Sequence, residues 1–442
     1  MERFFNTLVL LRRQLWILPA LISTFGFALA ALMLFLDYRW LDLQYSKLWW
    51  LYSGDAGSAS NLLGTFLSGM MTITSLVVSL TFVTLTLAAN QLGPRLILNF
   101  MGDRQIQSVL GLFLATIFYL IVILRSIDGS RGDAGVPALS IGVASLLTLA
   151  CLFALLFYVH KIARSTIADI VVQQVARELM QALRERLETL PPVAPEPLAD
   201  LPPCRAMLSL DRPGYVQMID YSVLRAWAKR NDAVLEVQVR AGHYLLRRGE
   251  HVRVFASQAV DEASLKELRE AIIIGEERSP TQDLEYSIRQ MVEIALRALS
   301  PGINDPFTAI AVIDRLGSAL EEILGRQVES RRLFDDDGQL RVIAARSDLQ
   351  GLADACFDQI RQAGASNPAV LIRIADVLGR LAPACKNDAA RVVLARHLER
   401  VDELAPAAGP GAADHRAVAE RVAAACAQLR KAVGYDGTRA AR

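Results

Sequence analysis

The most regular pattern in this chain is a polar stripe within a long apolar stretch, residues 56–94, which carries no charged side chain. Small polar groups recur there in steps of three, four or seven residues, at Thr65, Ser68, Thr72, Ser75, Ser79, Thr86 and Asn90. Those steps place the polar groups on one face of a helix. Because about 20 apolar residues cross the hydrocarbon core of a bilayer, the stretch predicts a membrane-spanning helix with a polar stripe.

Three further uncharged segments have the length of a membrane span, residues 15–36, 105–124 and 134–160. Together with the striped helix they predict a four-helix transmembrane domain over residues 1–160. The first segment is not expected to be a cleaved signal peptide, because it is too long for an apolar signal core and no small-residue cleavage site follows it.

The stripe itself has two interpretations. In the first, its hydroxyls are packing groups that bond to their own backbone or to a neighbouring helix, which is common for Ser and Thr in membranes. In the second, the helix lines a polar pathway across the membrane. The stripe alone favours packing.

Basic residues in the short loops predict the orientation of the spans. They lie before the first span, between the second and third spans, and after the fourth span, which are all on one side of the membrane. These residues are Arg3, Arg12, Arg13, Arg95, Arg104, Lys161 and Arg164. The loops on the other side balance Lys and Arg with Asp, and residues 38–52 add Trp and Tyr of the interfacial type. Both termini are therefore expected in the cytoplasm.

The second half of the chain predicts an ordered cytoplasmic α+β domain, mostly helical with a small strand module. Its parts are a connecting helix over 161–190, a Pro-rich linker over 191–203, a strand module over 204–260 and a mainly helical domain over 261–442. In the connecting helix, apolar residues at coiled-coil spacing are expected to dock on the following domain.

Within the last domain, apolar periodicity predicts helices over roughly 261–275, 283–299, 306–326, 347–363, 367–382, 386–404 and 412–433. The run Asp335-Asp336-Asp337-Gly338 lies between apolar pieces and predicts a hairpin turn. It lacks the alternating ligands of a calcium loop.

The segment around Ser300 and Gly302 is the most unusual turn of this domain. Ser300-Pro301-Gly302 ends one helix, and Asn304 or Asp305 can cap the next, whose first turn contains Pro306. Exposed amides at such a helix start can also hold an anion. Capping is the favoured interpretation of this possible site, because it explains every residue type present.

Composition and motifs exclude several functions. The formal net charge of +1 implies no attraction to nucleic acid. The five cysteines form no CxxC pair, and the five histidines show no HxxxH or HExxH spacing, so no metal site, cofactor or catalytic residue is predicted. An enzyme is the weakest hypothesis for this chain.

Three runs resemble those of a known family. They are Thr81–Arg95, the run Arg278-Ser-Pro-Thr-Gln-Asp283, and the run Ala298-Leu-Ser-Pro-Gly-Ile-Asn-Asp-Pro306. The chain resembles, over almost its whole length, the prokaryotic predicted membrane proteins catalogued as domain of unknown function 2254. That resemblance implies a bacterial inner-membrane protein with a large cytoplasmic domain, and it supplies no substrate and no site.

Two functions remain. The first is an ion channel or conduit with a regulatory cytoplasmic domain, and the second is a membrane-anchored regulatory or scaffold protein whose cytoplasmic domain binds a partner or metabolite. The lack of charge within the spans argues against a proton-coupled transporter. One four-helix unit is too small to enclose a pore, so a conduit for ions or small anions would require a homo-oligomer in the bilayer. In it the stripe, Thr65, Ser68, Thr72, Ser75, Ser79 and Thr86, would line the path.

The conduit hypothesis also assigns the two ends of the path. Phe82 and Val83 interrupt the stripe and would form a constriction that closes by dewetting. Asn90, Arg95 and Arg104 would form an electropositive inner mouth. The conduit is slightly favoured over the scaffold, because an anchor needs no hydroxyls in register.

Overall fold

The chain folds into two compact units, Met1–Ile170 and Val171–Arg442, named here the membrane unit and the C-terminal unit. The computed structural model of the protein describes residues 16–39, 55–92, 103–127, 136–165, 168–187, 201–326, 331–409 and 411–431.

Four long helices make up the described part of the membrane unit. They are α1 (Ile17–Arg39), α2 (Ala56–Leu92), α3 (Arg104–Ser126) and α4 (Ala138–Ser165). All four are long and apolar enough to cross a membrane. They confirm the predicted helical membrane fold, with bounds that differ by a few residues because helices continue into their polar flanks.

The central helix of the membrane unit is α3, which packs against each of the other three. Its contact with α1 is very close. A Cβ on Gly26 would collide with Ala115, and a Cβ on Gly111 would collide with Ile22. Small residues allow such an approach between membrane helices, where van der Waals packing is the main attraction.

Buried hydroxyl groups join the helices inside this unit. The Tyr119 hydroxyl donates to the carbonyl of Ser140 at 3.0 Å. The Tyr158 hydroxyl donates to the carbonyl of Val77 at 3.1 Å and also contacts the Thr81 hydroxyl. These hydroxyls, of Tyr119, Tyr158 and Thr81, join helices of the unit, and none of them belongs to the stripe.

Charged groups hold the helix ends together on both sides of the membrane unit. The Asp37 carboxylate, buried at the end of α1, accepts from the backbone N–H groups of Leu139 and Ser140 at 3.1 and 2.9 Å. It thus caps the start of α4 from another helix. At the opposite end, Lys161 pairs with Asp103 at 2.9 Å and joins the end of α4 to the start of α3.

Two small sheets form the strand part of the C-terminal unit. The first has the order β1-β5-β3-β8-β7 and the second the order β4-β2-β6. Their bounds are β1 (Cys204–Leu208), β2 (Gly214–Ile219), β3 (Ala233–Val237), β4 (Tyr244–Leu245), β5 (Val252–Ala256), β6 (Ile272–Gly275), β7 (Arg332–Phe334) and β8 (Leu340–Ala344). Because β3 pairs in parallel with β8, the strand module takes in residues well beyond 260.

One predicted helix is wrong over its last residues. The sequence predicts a helix over 261–275, but the chain turns after Glu270 and residues Ile272–Gly275 form β6, antiparallel to β2. Three consecutive isoleucines favour a strand, because a β-branched side chain is restricted in a helix. The predicted turn at Asp335–Gly338 does connect two antiparallel strands, β7 and β8.

Nine α-helices are described in the C-terminal unit. They are α5 (Ala168–Arg186), α6 (Tyr221–Arg230), α7 (Glu262–Glu270), α8 (Leu284–Ala298), α9 (Pro306–Gly325), α10 (Leu349–Ala363), α11 (Pro368–Arg380), α12 (Asp388–Asp402) and α13 (Ala412–Lys431). Most begin at an Asp or Asn whose side chain accepts from the first amides.

The connecting helix α5 docks inside this unit, as the docking interpretation predicts. Val172, Val175 and Leu179 are buried. Arg326, at the end of α9, donates to the backbone carbonyls of Arg184 and Leu187 at 3.4 and 3.3 Å. These contacts join the end of α5 to the end of α9.

Candidate functional site

The polar stripe lies on the outer surface of the membrane unit. Thr65, Ser68, Thr72, Ser75, Ser79 and Thr86 are all exposed. The residues that α2 buries are Ala59, Leu63, Met70, Val77, Thr81, Thr84 and Ala88. At about 100° per residue, the mean directions of the two sets differ by roughly 180°. The stripe therefore points directly away from the rest of its own bundle.

The hydroxyls of the stripe make no contact with another described helix. Thr65, Thr72 and Thr86 donate to the carbonyl four residues earlier, at 2.8, 2.9 and 2.9 Å. The hydroxyls of Ser68, Ser75 and Ser79 make no hydrogen bond to any described residue. A threonine bonded to its own helix tolerates apolar surroundings, whereas an unbonded serine hydroxyl favours a polar neighbour.

The two residues predicted as a constriction flank the stripe. Phe82 and Val83 are 62% and 53% exposed. By helical geometry they lie on either side of the line that joins Ser79 to Thr86. Large apolar side chains thus border the polar face at this level of α2.

The predicted inner mouth is described only in part. Asn90 is exposed near the end of α2, and Arg104 is exposed at the start of α3. Arg95 lies outside the described residues. Asp103, which caps α3 through the amide of Gln105 at 2.8 Å, is paired with Lys161 at 2.9 Å, so its negative charge beside Arg104 is largely balanced.

The turn before α9 is built around Asp305. Its carboxylate accepts from the backbone amide and the hydroxyl of Thr308, at 3.2 and 2.6 Å, and this bonding lowers the pKa of Asp305. Asn304 adopts φ of 50°, and Ser300 bonds to the carbonyl of Arg297 at 2.7 Å. A Cβ on Gly302 would meet only open space. The carboxylate takes up helix-start donors that an anion would need, which favours capping.

The second family-like run positions the start of α8. Arg278 donates to the Asp283 carboxylate at 2.8 and 2.5 Å, and that carboxylate is buried. The side-chain amide of Gln282 bonds to both the N–H and the carbonyl of Ile219, at 2.8 and 3.0 Å. These residues attach α8 to β2, a role that a polar turn in the sequence does not reveal.

Glu285, in the first turn of α8, is the centre of a buried ionic network. Its carboxylate is 5% exposed and pairs with Arg240 at 2.5 Å and Arg289 at 2.9 Å. Ser347 bonds to Arg240 at 2.6 Å. Burial raises the pKa of Glu285, but the two guanidinium groups more than offset it, so the pKa lies below its ordinary value.

A second cluster joins α10 and α12. Asp354 and Asp358 lie one turn apart on α10, and Arg400 of α12 donates to both carboxylates at 2.8 Å. His397 is fully buried beside them, and burial lowers its pKa. Among the described residues neither of its ring nitrogens forms a hydrogen bond, although Asp354 lies 3.3 Å from Nε2. This cluster has no signal in the sequence, because His397 comes from a different helix at no recognisable spacing.

Four apolar spans followed by a separate α+β unit define a multi-pass helical membrane protein. The chain belongs to the family described as predicted membrane protein DUF2254, whose model matches residues 12–380. This confirms the resemblance carried by its sequence motifs.

The curated relatives are mycobacterial. The chain is 30% identical over 405 residues to an uncharacterized protein of Mycobacterium tuberculosis strain H37Rv, covering 87% of this chain and 74% of the relative. It is 30% identical, with the same coverage, to an uncharacterized protein of Mycobacterium bovis. No solved structure matches the chain.

Proposed function

We propose that this membrane protein assembles as a homo-oligomer in which the polar face of α2 lies toward a shared axis and lines a conduit. The observation that carries the proposal is the direction of the stripe, which is exposed and opposite to the buried face of α2. A face that does not contact its own bundle meets lipid, water or another subunit. Hydroxyl groups favour contact with water or with another subunit over contact with lipid.

The exposed faces of neighbouring helices show what this chain presents to lipid. On α1 they carry large apolar side chains such as Leu21, Phe25 and Leu32. On α4 they carry Leu146, Phe153 and Leu156. The stripe of α2 differs in chemistry from these faces, which supports a different environment for it.

The length of the stripe fits a path across the membrane. From Thr65 to Thr86 it covers about 32 Å at about 1.5 Å per residue, close to the roughly 30 Å of the hydrocarbon core. On the same helix, a Cβ added to Gly64 or Gly69 would meet none of the described residues. Each interior glycine destabilises a helix by about 1 kcal/mol relative to Ala. In membranes, glycine allows another helix to approach closely, which offsets this loss of stability.

An oligomer can enclose a path across the membrane, which one four-helix unit is too small to do. Closed rotational symmetry brings one copy of α2 from each subunit to the axis. Phe82 and Val83 then form an apolar ring that blocks the path when it is dry. Because Lys161 balances Asp103, Arg104 leaves the adjoining mouth positive, which favours small anions there.

We further propose that both termini and the C-terminal unit lie in the cytoplasm of a bacterium, with the protein in its inner membrane. The basic flanks near residues 1–14, 95–104 and 161–164 support this orientation. A reporter enzyme that works only in the cytoplasm is expected to be active when it is fused after Arg442. If instead a reporter that works only in the periplasm is active at this position, the orientation is refuted.

Cysteine accessibility tests the water-lined path. In a background with Cys204 and Cys426 changed to Ser, single cysteines replace Ser68, Ser75 or Ser79, with Val77 and Val78 as matched controls. A small, polar thiol reagent is expected to label the stripe positions in vesicles. The buried Val77→Cys and the flanking, lipid-side Val78→Cys should not react, because a thiol outside water stays protonated and shielded.

Ion flux tests the constriction. Phe82→Ser should raise the leak of reconstituted vesicles, because a wetted ring loses its barrier. Phe153→Ser is the matched control, since Phe153 is similarly exposed but lies on α4. Equal labelling of both faces of α2, or no flux from wild type and Phe82→Ser, contradicts the conduit.

The alternative is a membrane-anchored regulatory or scaffold protein. It is favoured by the threonines of the stripe, whose hydroxyls already bond to their own helix and so need no water. In that case the face of α2 is a dry contact between subunits or lies in lipid. Unlabelled stripe cysteines combined with absent flux support this alternative.

A further inference from the structure

We propose that Asp354, Asp358 and His397 form a binding site for a divalent transition-metal ion that joins α10 to α12. The three residues offer one ligand atom each, and these atoms all lie within 4.8 Å of one another. This site is independent of the conduit proposed for α2.

The geometry of the donors comes from two regular helices. Asp354 and Asp358 are four residues apart on α10, so both carboxylates project from one face. From α12, His397 lies beside both carboxylates, with Nε2 3.3 Å from Asp354 and Nδ1 3.9 Å from Asp358. One ion binds only one of these two ring nitrogens. Bonds of about 2.0–2.2 Å to a zinc ion place its ligand atoms roughly 3.4 Å apart, so small side-chain movements within the 4.8 Å cluster bring one nitrogen and the two carboxylates to this spacing.

The imidazole of His397 is suited to be a metal ligand. The side chain is fully buried, and neither ring nitrogen forms a hydrogen bond with the described residues, although Asp354 lies 3.3 Å from Nε2. Buried polar atoms are rarely left unpaired in proteins. A metal ion on the ring lone pair gives this buried group the partner that the described residues do not supply.

Arg400 places a positive charge between the two carboxylates. Its Nη1 atom lies 2.8 Å from an oxygen of each carboxylate. The Arg400 side chain is about one-fifth exposed, so it can move outward into solvent. The two negative carboxylates then balance the charge of a divalent ion, the imidazole is neutral, and the guanidinium is not needed.

Neighbouring groups hold the ligands in place. The side-chain amide of Gln350 lies 2.9 Å from both oxygens of Asp354. The ring of Phe357 packs edge-on against His397, with centroids 6.0 Å apart. Outer contacts of this kind orient ligands and raise metal affinity. One imidazole and two carboxylates suit Zn²⁺ or Mn²⁺ better than Mg²⁺, which prefers all-oxygen sites.

The test is a calorimetric titration of the full-length, chelator-treated protein in detergent with ZnCl₂, repeated with MnCl₂. Wild type is expected to bind one ion per chain at this site. Asp354→Asn and His397→Gln each remove a ligand and should weaken that binding by about a hundredfold or more, beyond the effect of losing an outer contact.

Arg400→Gln gives the sharper result, because removal of the competing cation should tighten metal binding about tenfold. Arg391→Gln is the matched control on the same helix, since Arg391 pairs with Asp388 and not with the cluster. If Arg400→Gln leaves the affinity unchanged, or if Asp354→Asn binds as wild type does, the cluster is an ion-pair network and the proposal is wrong. The Arg400→Gln result decides even where a ligand variant fails to fold.

Discussion

Replacement of Glu285 by Gln tests whether the buried ionic network stabilises the C-terminal unit. The substitution keeps the shape of the side chain but removes the charge that pairs with Arg240 and Arg289. It leaves two guanidinium groups facing an amide in a region where water reaches only in part. We therefore expect a clear loss of stability around α8.

The size of the loss follows from the burial of the three groups. Removing one partner of a buried pair costs about 3–5 kcal/mol. Arg240 is 23% exposed and Arg289 is 39% exposed, so water partly solvates both after the change. With that screening the expected loss is about 2–3 kcal/mol. For a unit of this size it corresponds to a fall in Tm of about 4–10 °C.

The assay is hydrogen–deuterium exchange of the α8 amides in the full-length protein, together with its Tm in detergent. Glu267→Gln is the matched control, because the pair of Glu267 with Arg230 is exposed on both sides. That change should cost less than about 0.5 kcal/mol. Equal effects of Glu285→Gln and Glu267→Gln would refute a buried role for Glu285.

Three further predictions concern the same unit. Gly242→Ala should destabilise it by at least about 1 kcal/mol, because φ is +87° there and a Cβ would collide with the Arg278–Asp283 pair; thermal unfolding checks this. Asp305→Ala should cost about 1 kcal/mol through loss of the helix cap, with no dependence of the wild-type Tm on phosphate concentration; a phosphate-dependent Tm would instead support an anion site. Burial lowers the pKa of His251, whose Nδ1 accepts from the Leu210 amide, so stability should be complete above about pH 6.5 and fall as the pH drops below it. His251→Gln should reduce that slope in a Tm series from pH 7.5 to 5.5.

The four spans and the strands between residues 204 and 256 were predictable because they depend on local patterns, whereas β6 was predicted as part of a helix. An uncharged stretch of sufficient length, such as 105–124, indicates a membrane helix without knowledge of its neighbours. The turn at Asp335–Gly338 is likewise local, since its residue types favour a reversal between two strands. The capping role of Asp305 is local as well.

The side-chain partners were not predictable, because they come from distant segments. Asp37 looked like a loop charge, yet it caps α4. Glu285 lies in the predicted helix 283–299, but its pairing with Arg240 of the strand module has no local signal in the sequence. His397 lies in the predicted helix 386–404, and only the packing of α12 on α10 brings it to Asp354. Hydrophobic periodicity predicts which face of a helix is buried, but it does not predict which element packs against that face.

The central claim is that the polar face of α2 is turned toward other copies of the chain. The most direct measurement is the native mass of the purified particle in lipid nanodiscs, measured by mass photometry over a range of protein concentrations. The account predicts a fixed small multiple of the mass of one chain. A particle that contains a single chain at every concentration would contradict it.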